Sequence, residues 1–311
     1  MIEYMYANLV IFITAMLISK YIYSYYKEAS DHFESKEHYQ LVSDYYIGDN
    51  LKSQKPILWI HTSTELNARN WQSFYSRATT SLNQPYLQIT MKSIYDKCKD
   101  SFNVCLVDDD VFRRLLSWNV NLGDLAEPLK SHYRQLGISM ILHKYGGMFV
   151  PQSFLCQTDL IDIYQSKFFV GEEVNHSTLP EHYVPGMKLM GCKRQCEGMN
   201  KFIDYQENLY KNKTHQSDFT GDIHTYLKKS GCTVIDGSKL GIKKMNGEPV
   251  LVQELLGTDP ISLPRKLLGV YVPRDEILNR PKFEWFARMS PSQILESPMV
   301  FSTYVHNVYS L

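Results

Sequence analysis

Phe102-Asn103-Val104-Cys105-Leu106-Val107-Asp108-Asp109-Asp110-Val111-Phe112-Arg113-Arg114-Leu115-Leu116-Ser117-Trp118 is the stretch whose reading decides the fold class. An apolar run from 102 to 107 ends in three acids, and a helical segment follows at once. Strand, acidic tip and helix in that order belong to an α/β sheet, in which helices return the chain between strands. Upstream, Pro56 precedes Ile57-Leu58-Trp59-Ile60-His61, a short buried strand, and a polar loop then runs to Leu82. A helix is expected over 84–98, because Pro85 suits a first turn and Leu87, Met91, Ile94 and Cys98 fall on one face.

The alternation continues downstream. A longer helix is expected over 125–144, with Leu129, Tyr133, Leu136 and Met140 as its apolar stripe, and Gly146-Gly147 stop it abruptly. Further strands are expected at 148–150, around 170, around 188 and at 250–255, with helices at 200–210 and 221–229. Trp285 and Phe286 are assigned to the core. These elements make one α/β domain with a mixed sheet over residues 56–311.

Composition narrows the function classes. With 311 residues, 44% of them hydrophobic, the chain can bury a sizeable core and is not a disordered polymer. Its 33 basic and 33 acidic side chains leave no net field to collect phosphates, which excludes a general nucleic-acid binder. The cysteines at 98, 105, 156, 192, 196 and 232 suggest no disulfide framework. Cys192 and Cys196 lack the spacing and the partner pair of a zinc knuckle, so no structural metal is expected. Dinucleotide, P-loop, zincin and nucleophile-elbow motifs are all absent from the sequence.

The N-terminus departs from this pattern. From Tyr4 to Ser19 no residue is charged, and after Lys20 the segment continues through Tyr26. At ~1.5 Å per residue a helix over 4–26 reaches about 34 Å, enough for ~30 Å of hydrocarbon. Lys20 can snorkel, and the tyrosines around it suit the interface. A cleaved signal peptide would carry its charge before the apolar run, and here the order is reversed. Residues 1–26 are therefore expected to be a single-pass membrane anchor, and the polar segment 27–55 a juxtamembrane stalk. Lys20, Lys27 and Lys36 follow the span, which places the C-terminal domain in the cytosol. In that orientation the sequons Asn175-His-Ser and Asn212-Lys-Thr carry no glycan.

The content and order of KPILWIH at 55–61, of Asn83, Pro85 and Tyr86, of NVCLVDDD at 103–110 and of Leu142-x-Lys144-Tyr145-Gly146-Gly147 resemble a known family. It is that of the sugar-binding DXD-region glycosyltransferases and their capsular polysaccharide synthesis relatives, versions of which occur in large DNA viruses. The resemblance covers roughly residues 56 to 160 and is looser beyond. It implies a GT-A (Rossmann-like) fold, a nucleotide-sugar donor and a divalent metal held by a DXD just after Y-G-G; a glycan or protein acceptor is left open, and the membrane of the expected anchor is a viral or host one. Such a metal neutralises the charge that develops on the departing diphosphate. This chain departs from the family at that point, reading Pro151-Gln152-Ser153 where the carboxylates belong. The S-D-x-x-R element of the preceding helix aligns with Arg134, Gln135 and Ile138, so its acid and its arginine are missing too. No metal cofactor is therefore expected.

The resemblance brings the tip of the second strand to the nucleotide base, where Asp108 or Asp109 accepts the uracil N3–H; on chemistry alone, the same acids cap the following helix. His61 ends the strand that meets the donor, or is simply a satisfied strand-end residue. Asn83 contacts ligand or caps a helix. Arg69 and Arg77 flank a loop rich in hydroxyls and aromatics and pair with a diphosphate in place of a metal, or stay solvated. The functional expectation is a membrane-anchored glycosyltransferase-like protein working without a DXD metal. The alternative is a catalytically inactive pseudo-enzyme of the same fold, serving as a membrane-associated binding or structural protein. Alkaline carbonate extraction of the full-length protein should leave it in the membrane pellet, and release into the supernatant would contradict a span at 4–26.

Overall fold

A computed structural model describes residues 55–62, 84–116, 118–164, 167–211 and 219–309. The expected anchor, nearly all of the stalk, and Arg69, Arg77 and Asn83 lie outside the described residues. Among the described residues no helix is long and apolar enough to cross a membrane.

The chain alternates as the hydrophobic pattern requires: β1 (Ile57–His61), α1 (Tyr86–Cys98), β2 (Asn103–Val107), α2 (Asp109–Leu116), α3 (Leu129–Tyr145), β3 (Gly147–Phe149) and β4 (Phe154–Cys156). β5 (Phe169–Val174) and β6 (Tyr183–Cys192) follow, then α4 (Glu197–Lys211), α5 (Phe219–Lys229) and β7 (Thr233–Ile235). The chain ends in α6 (Val252–Leu255), β8 (Gly269–Tyr271), α7 (Arg274–Asn279), α8 (Glu284–Arg288), α9 (Pro291–Glu296) and α10 (Val300–Tyr309).

Six strands form one mixed sheet in the order β2-β1-β3-β6-β5-β7, and β4 pairs with β8 in a small second sheet. β1 runs parallel to β2 and β3, β6 is antiparallel to β3 and β5, and β7 is parallel to β5. The C-terminal ends of β1, β2, β3 and β5 therefore share one edge. Each helix that leads into a parallel strand starts at that edge, so the N-termini of α1, α3 and α5 gather there.

Alternation along β1 decides what each face meets. Leu58 and Ile60 pack with Ile94 and Cys98 of α1. Trp59 and His61 point the other way, where the Trp59 indole donates to the Gly146 carbonyl at 2.9 Å. On its far side α1 carries Tyr86 and Leu87 into a second cluster with Ile277, Phe286, Ile294 and Phe301 from the C-terminal helices. At ~1.5–3 kcal/mol per fully buried large apolar side chain, this outer layer is a substantial part of the core.

Three expectations are corrected. Residues 250–255 are not a strand: Val252, Leu255 and Leu256 recur at three- and four-residue steps, and the single turn α6 buries them while the Glu254 side chain accepts from the Leu251 N–H. Trp285 is 48% exposed, because a helix as short as α8 turns one aromatic inward and Phe286 takes that place against Tyr86 at 4.9 Å. Along α3 only Leu136 of the expected stripe is fully buried. Leu136, Gly137, Ile138 and Ser139 are buried in succession because the helix is covered by α2, α4 and the sheet; a Cβ on Gly137 would stand 3.2 Å from the Phe112 ring.

The hairpin loop between β5 and β6 is built on one side chain. Asn175 Nδ2 donates to the carbonyls of Leu179 (2.7 Å) and Glu181 (2.6 Å), while its Oδ1 accepts from the Ser177 N–H (2.8 Å) and hydroxyl (2.6 Å).

Gly146 and Gly147 end α3 with φ of 75° and 104°, and a Cβ on Gly147 would lie 2.1 Å from the Ile57 carbonyl oxygen. Gly231 has a similar φ of 70° but open space around it. Gly147→Ala should therefore cost well over the ~1–2 kcal/mol of conformational strain that Gly231→Ala incurs. Urea denaturation of the two variants checks this, and equal losses would show that β3 has no need of its approach to β1.

Candidate functional site

From β1 the chain moves to β2 on one side, then crosses by α3 to β3 on the other. The gap between the C-terminal ends of β1 and β3 is thus a topological switch point, where open α/β sheets leave a crevice for ligands. Residues at the ends of those strands and at the starts of α1, α3 and α5 surround it.

The best-ordered group there is an ion-paired triad. Asp109, the first residue of α2, accepts from His61 Nε2 at 2.9 Å and from Arg134 Nε at 2.9 and 3.1 Å and Nη2 at 2.6 Å. The two-pronged guanidinium contact is directional and stronger than a single charged bond. His61 stacks on Phe112 at 5.4 Å, which holds the ring in plane for Asp109. Burial opposes ionisation of Asp109, but the hydrogen bonds and positive charge of His61 and Arg134 outweigh it and hold the carboxyl well below the usual range. Arg134 also approaches Glu127, at 3.5 Å.

A cavity of about 120 Å³ opens against the same helix α3, lined by His132 and Gln135 of α3, Glu173 of β5, Lys188 of β6, and Thr220 and His224 of α5. Glu173 is buried; its Oε1 lies 3.5 Å from His224 Nε2, and its Oε2 stands 3.9 Å from the Lys188 ammonium without a hydrogen-bond partner. His224 Nδ1 donates to the Pro185 carbonyl at 2.9 Å, so the approach of Nε2 to Glu173 is attractive only with a proton between them. Lys188 lies 5.1 Å over the Tyr271 ring. Burial acts against its charge, but Tyr271, Glu173 and Asp275 more than compensate and keep the ammonium protonated. His132 packs on Phe219 at 5.0 Å, and burial lowers its pKa against the pull of Glu127. Gly186 makes room for this arrangement, since a Cβ there would fall 2.0 Å from the Glu173 carboxyl carbon.

Of the residues singled out in the sequence, His61 and Asp109 are brought together. Asp108 takes the capping role, accepting from the Val111 N–H at 2.9 Å at the start of α2. Gln152 and Ser153 are 4% and 2% exposed, so the positions of the missing DXD do not line an open cleft. Pro151, Gln152 and Ser153 offer a hard cation no carboxylate, Asp109 is engaged by His61 and Arg134, and among the described residues no group of three His, Cys, Asp or Glu side chains could hold an ion. Arg134, Glu173, Lys188 and His224 were missed. The pair Glu172-Glu173 in an otherwise apolar strand was the one available signal, since a buried carboxylate needs a stated partner.

No family model matches this sequence, and no curated protein matches it. Among solved structures it is similar to the galactosyltransferase LgtC in complex with donor and acceptor sugar analogs (9% identity, 82% of this chain and 95% of that one, TM-score 0.36). It is also similar to the apo-form glycosyltransferase GlyE of Streptococcus pneumoniae TIGR4 (9%, 82% and 63%, TM-score 0.38) and to the PaToxG glycosyltransferase (12%, 91% and 94%, TM-score 0.34). The match thus spans less than two thirds of the GlyE chain. Likenesses with TM-scores below 0.5 carry no argument, and the functional reading rests on the geometry of the site.

The depressed pKa of Asp109 gives a signed expectation. Its contribution to stability is present above the unfolded carboxylate's pKa of about 3.9 and is lost as pH falls toward the lower folded value. Asp109→Asn should cost on the order of 1–3 kcal/mol at pH 7, and the gap to wild type should close below pH ~4. Parallel stability curves across pH 3–7 would mean that the triad does not hold the carboxylate ionised.

Proposed function

We propose that this chain is a membrane-anchored, glycosyltransferase-like protein that takes a nucleotide-sugar donor at the edge of the sheet where β1, β3 and β5 end, without a divalent metal. One observation carries the reading: a cavity holding a buried carboxylate and an ammonium opens at the C-terminal end of β5, against the same helix α3 that supplies Arg134 to the His61–Asp109–Arg134 triad. A carboxylate with an oxygen unclaimed by the protein accepts hydroxyl hydrogens, and sugars present these in number. Lys188 and Arg134 supply positive charge of the kind a diphosphate requires. The resemblance in sequence motifs supports the same class of donor, and the run at 4–26, charged only at Lys20, supports the anchor.

A second reading has its own support. Gln152 and Ser153 are buried, and Asp109 is fully engaged by the protein's own cations, as in a scaffold that has given up catalysis. Calorimetric titration of the full-length chain with UDP and UDP-sugars, in Mn²⁺ and in EDTA, combined with a product assay, separates the two. A metal-free transferase binds equally in both buffers, releases UDP on turnover and loses at least ~10-fold in affinity for the sugar nucleotide on Glu173→Gln, about 1.4 kcal/mol. Binding without turnover supports the pseudo-enzyme, and binding that needs Mn²⁺ refutes the metal-free site.

A further inference from the structure

Five of the eight buried side-chain polar atoms without a hydrogen-bond partner among the described residues belong to four residues: both amide atoms of Gln84, the Tyr86 hydroxyl, Gln152 Oε1 and Arg274 Nε. Three segments bring them together. The Thr90 hydroxyl of α1 donates to the Gln152 carbonyl at 2.6 Å, one helical turn after Tyr86. The Val272 N–H donates to the Ser153 carbonyl at 3.0 Å, two residues before Arg274. Tyr86 and Arg274 act electrostatically on each other, and Arg274 also feels the charge of Arg134. All of this lies directly after β3, where the DXD carboxylates are missing.

Such a cluster is costly as it stands. An orphaned buried donor or acceptor costs ~1–3 kcal/mol, and proteins seldom bury a guanidinium without a carboxylate against it. Arg274 forms no ion pair among the described residues, and its Nε donates to nothing. Burial lowers its pKa, against the opposing influence of Tyr86 and Asp275. The unclaimed donors are the Gln84 amide N–H, the Tyr86 O–H and the Arg274 Nε–H, groups of the kind that bind the oxygens of an anion. Gln84, Tyr86 and Gln152 are almost fully buried, and Arg274 is the member that retains exposure.

We propose that Arg274, with Tyr86 and Gln84, is the receptor for a diphosphate, an organic cation standing where a carboxylate-held metal ion would otherwise be needed. This deepens the donor reading above, on which it rests, and it adds Arg274 to Lys188 and Arg134 as a cationic group for the diphosphate; Arg69 and Arg77 lie outside the described residues. A guanidinium supplies charge and two parallel hydrogen bonds without needing carboxylate ligands of its own. With both DXD acids replaced, Asp275 is the carboxylate whose charge acts on Arg274.

The test uses the full-length chain in EDTA, titrated with inorganic pyrophosphate, UDP and uridine. Arg274→Gln should weaken pyrophosphate and UDP at least ~10-fold and leave uridine unchanged, with Arg274→Lys intermediate. Tyr86→Phe should weaken pyrophosphate several-fold while keeping or raising the Tm, since it removes an orphaned hydroxyl; a purely structural tyrosine would leave pyrophosphate untouched. UDP bound in EDTA with equal affinity by wild type and Arg274→Gln would overturn the assignment and leave the donor reading standing. Arg274-dependent pyrophosphate binding with no gain from the nucleoside would uphold the anion receptor and remove the nucleotide donor. No pyrophosphate binding to wild type would overturn the receptor.

Discussion

The contact of Gly147 with the Ile57 carbonyl governs the architecture. α3 must end within one residue of β3, and β3 must pair with β1 from its first residues. Two successive left-handed glycines make that reversal, and the absence of a Cβ lets the chain pass against β1. The Trp59 indole, fixed on Gly146, closes the junction from the other face of β1. Because β3 is inserted there, β1 becomes an interior strand with β2 and β3 on opposite sides, which opens the crevice between their ends. The start of α3, with His132, Arg134 and Gln135, is carried to that crevice by the same reversal.

Charge at this edge is arranged in two ways. Around Asp109 it is internally balanced: one carboxylate serves an imidazole and a guanidinium, and the group is rigid and ionised. Around Glu173 and Arg274 the balance is incomplete, with a carboxylate oxygen and a guanidinium nitrogen lacking protein hydrogen bonds. Rigid, satisfied polar groups specify structure, whereas unsatisfied ones mark where free energy of folding has been given up, commonly for binding.

Most elements were legible from their periodicity. The run Leu87, Met91, Ile94, Cys98 and the Gly146-Gly147 stop announced α1 and the end of α3, because burial on one face writes a period into sequence. The errors occur where that logic fails. Val252 and Leu255 sit in a segment too short to display a helical period, and Trp285 neighbours a better-placed aromatic. At the site, His61 and Asp109 were recognisable as strand ends, since position at the tip of a strand is a one-dimensional fact. Arg134, Lys188, His224 and Arg274 come from four separate elements, and their convergence is a property of strand order, which no local pattern encodes. The acids at 108–110 divided their roles by one residue of helical phase: Asp108 caps, and Asp109 reaches the triad.

The Asn175 side chain bears on topology in a way its hydrogen bonds alone do not express. Attachment of an oligosaccharide consumes the amide nitrogen as a nucleophile, yet in the folded loop that nitrogen already donates to two carbonyls and the amide oxygen accepts from the N–H and hydroxyl of Ser177. An enzyme seeking this sequon must find it before the β5–β6 hairpin closes. Occupancy at Asn175 therefore reads folding order as well as compartment, and a bare Asn175 carries no vote on which compartment holds the domain.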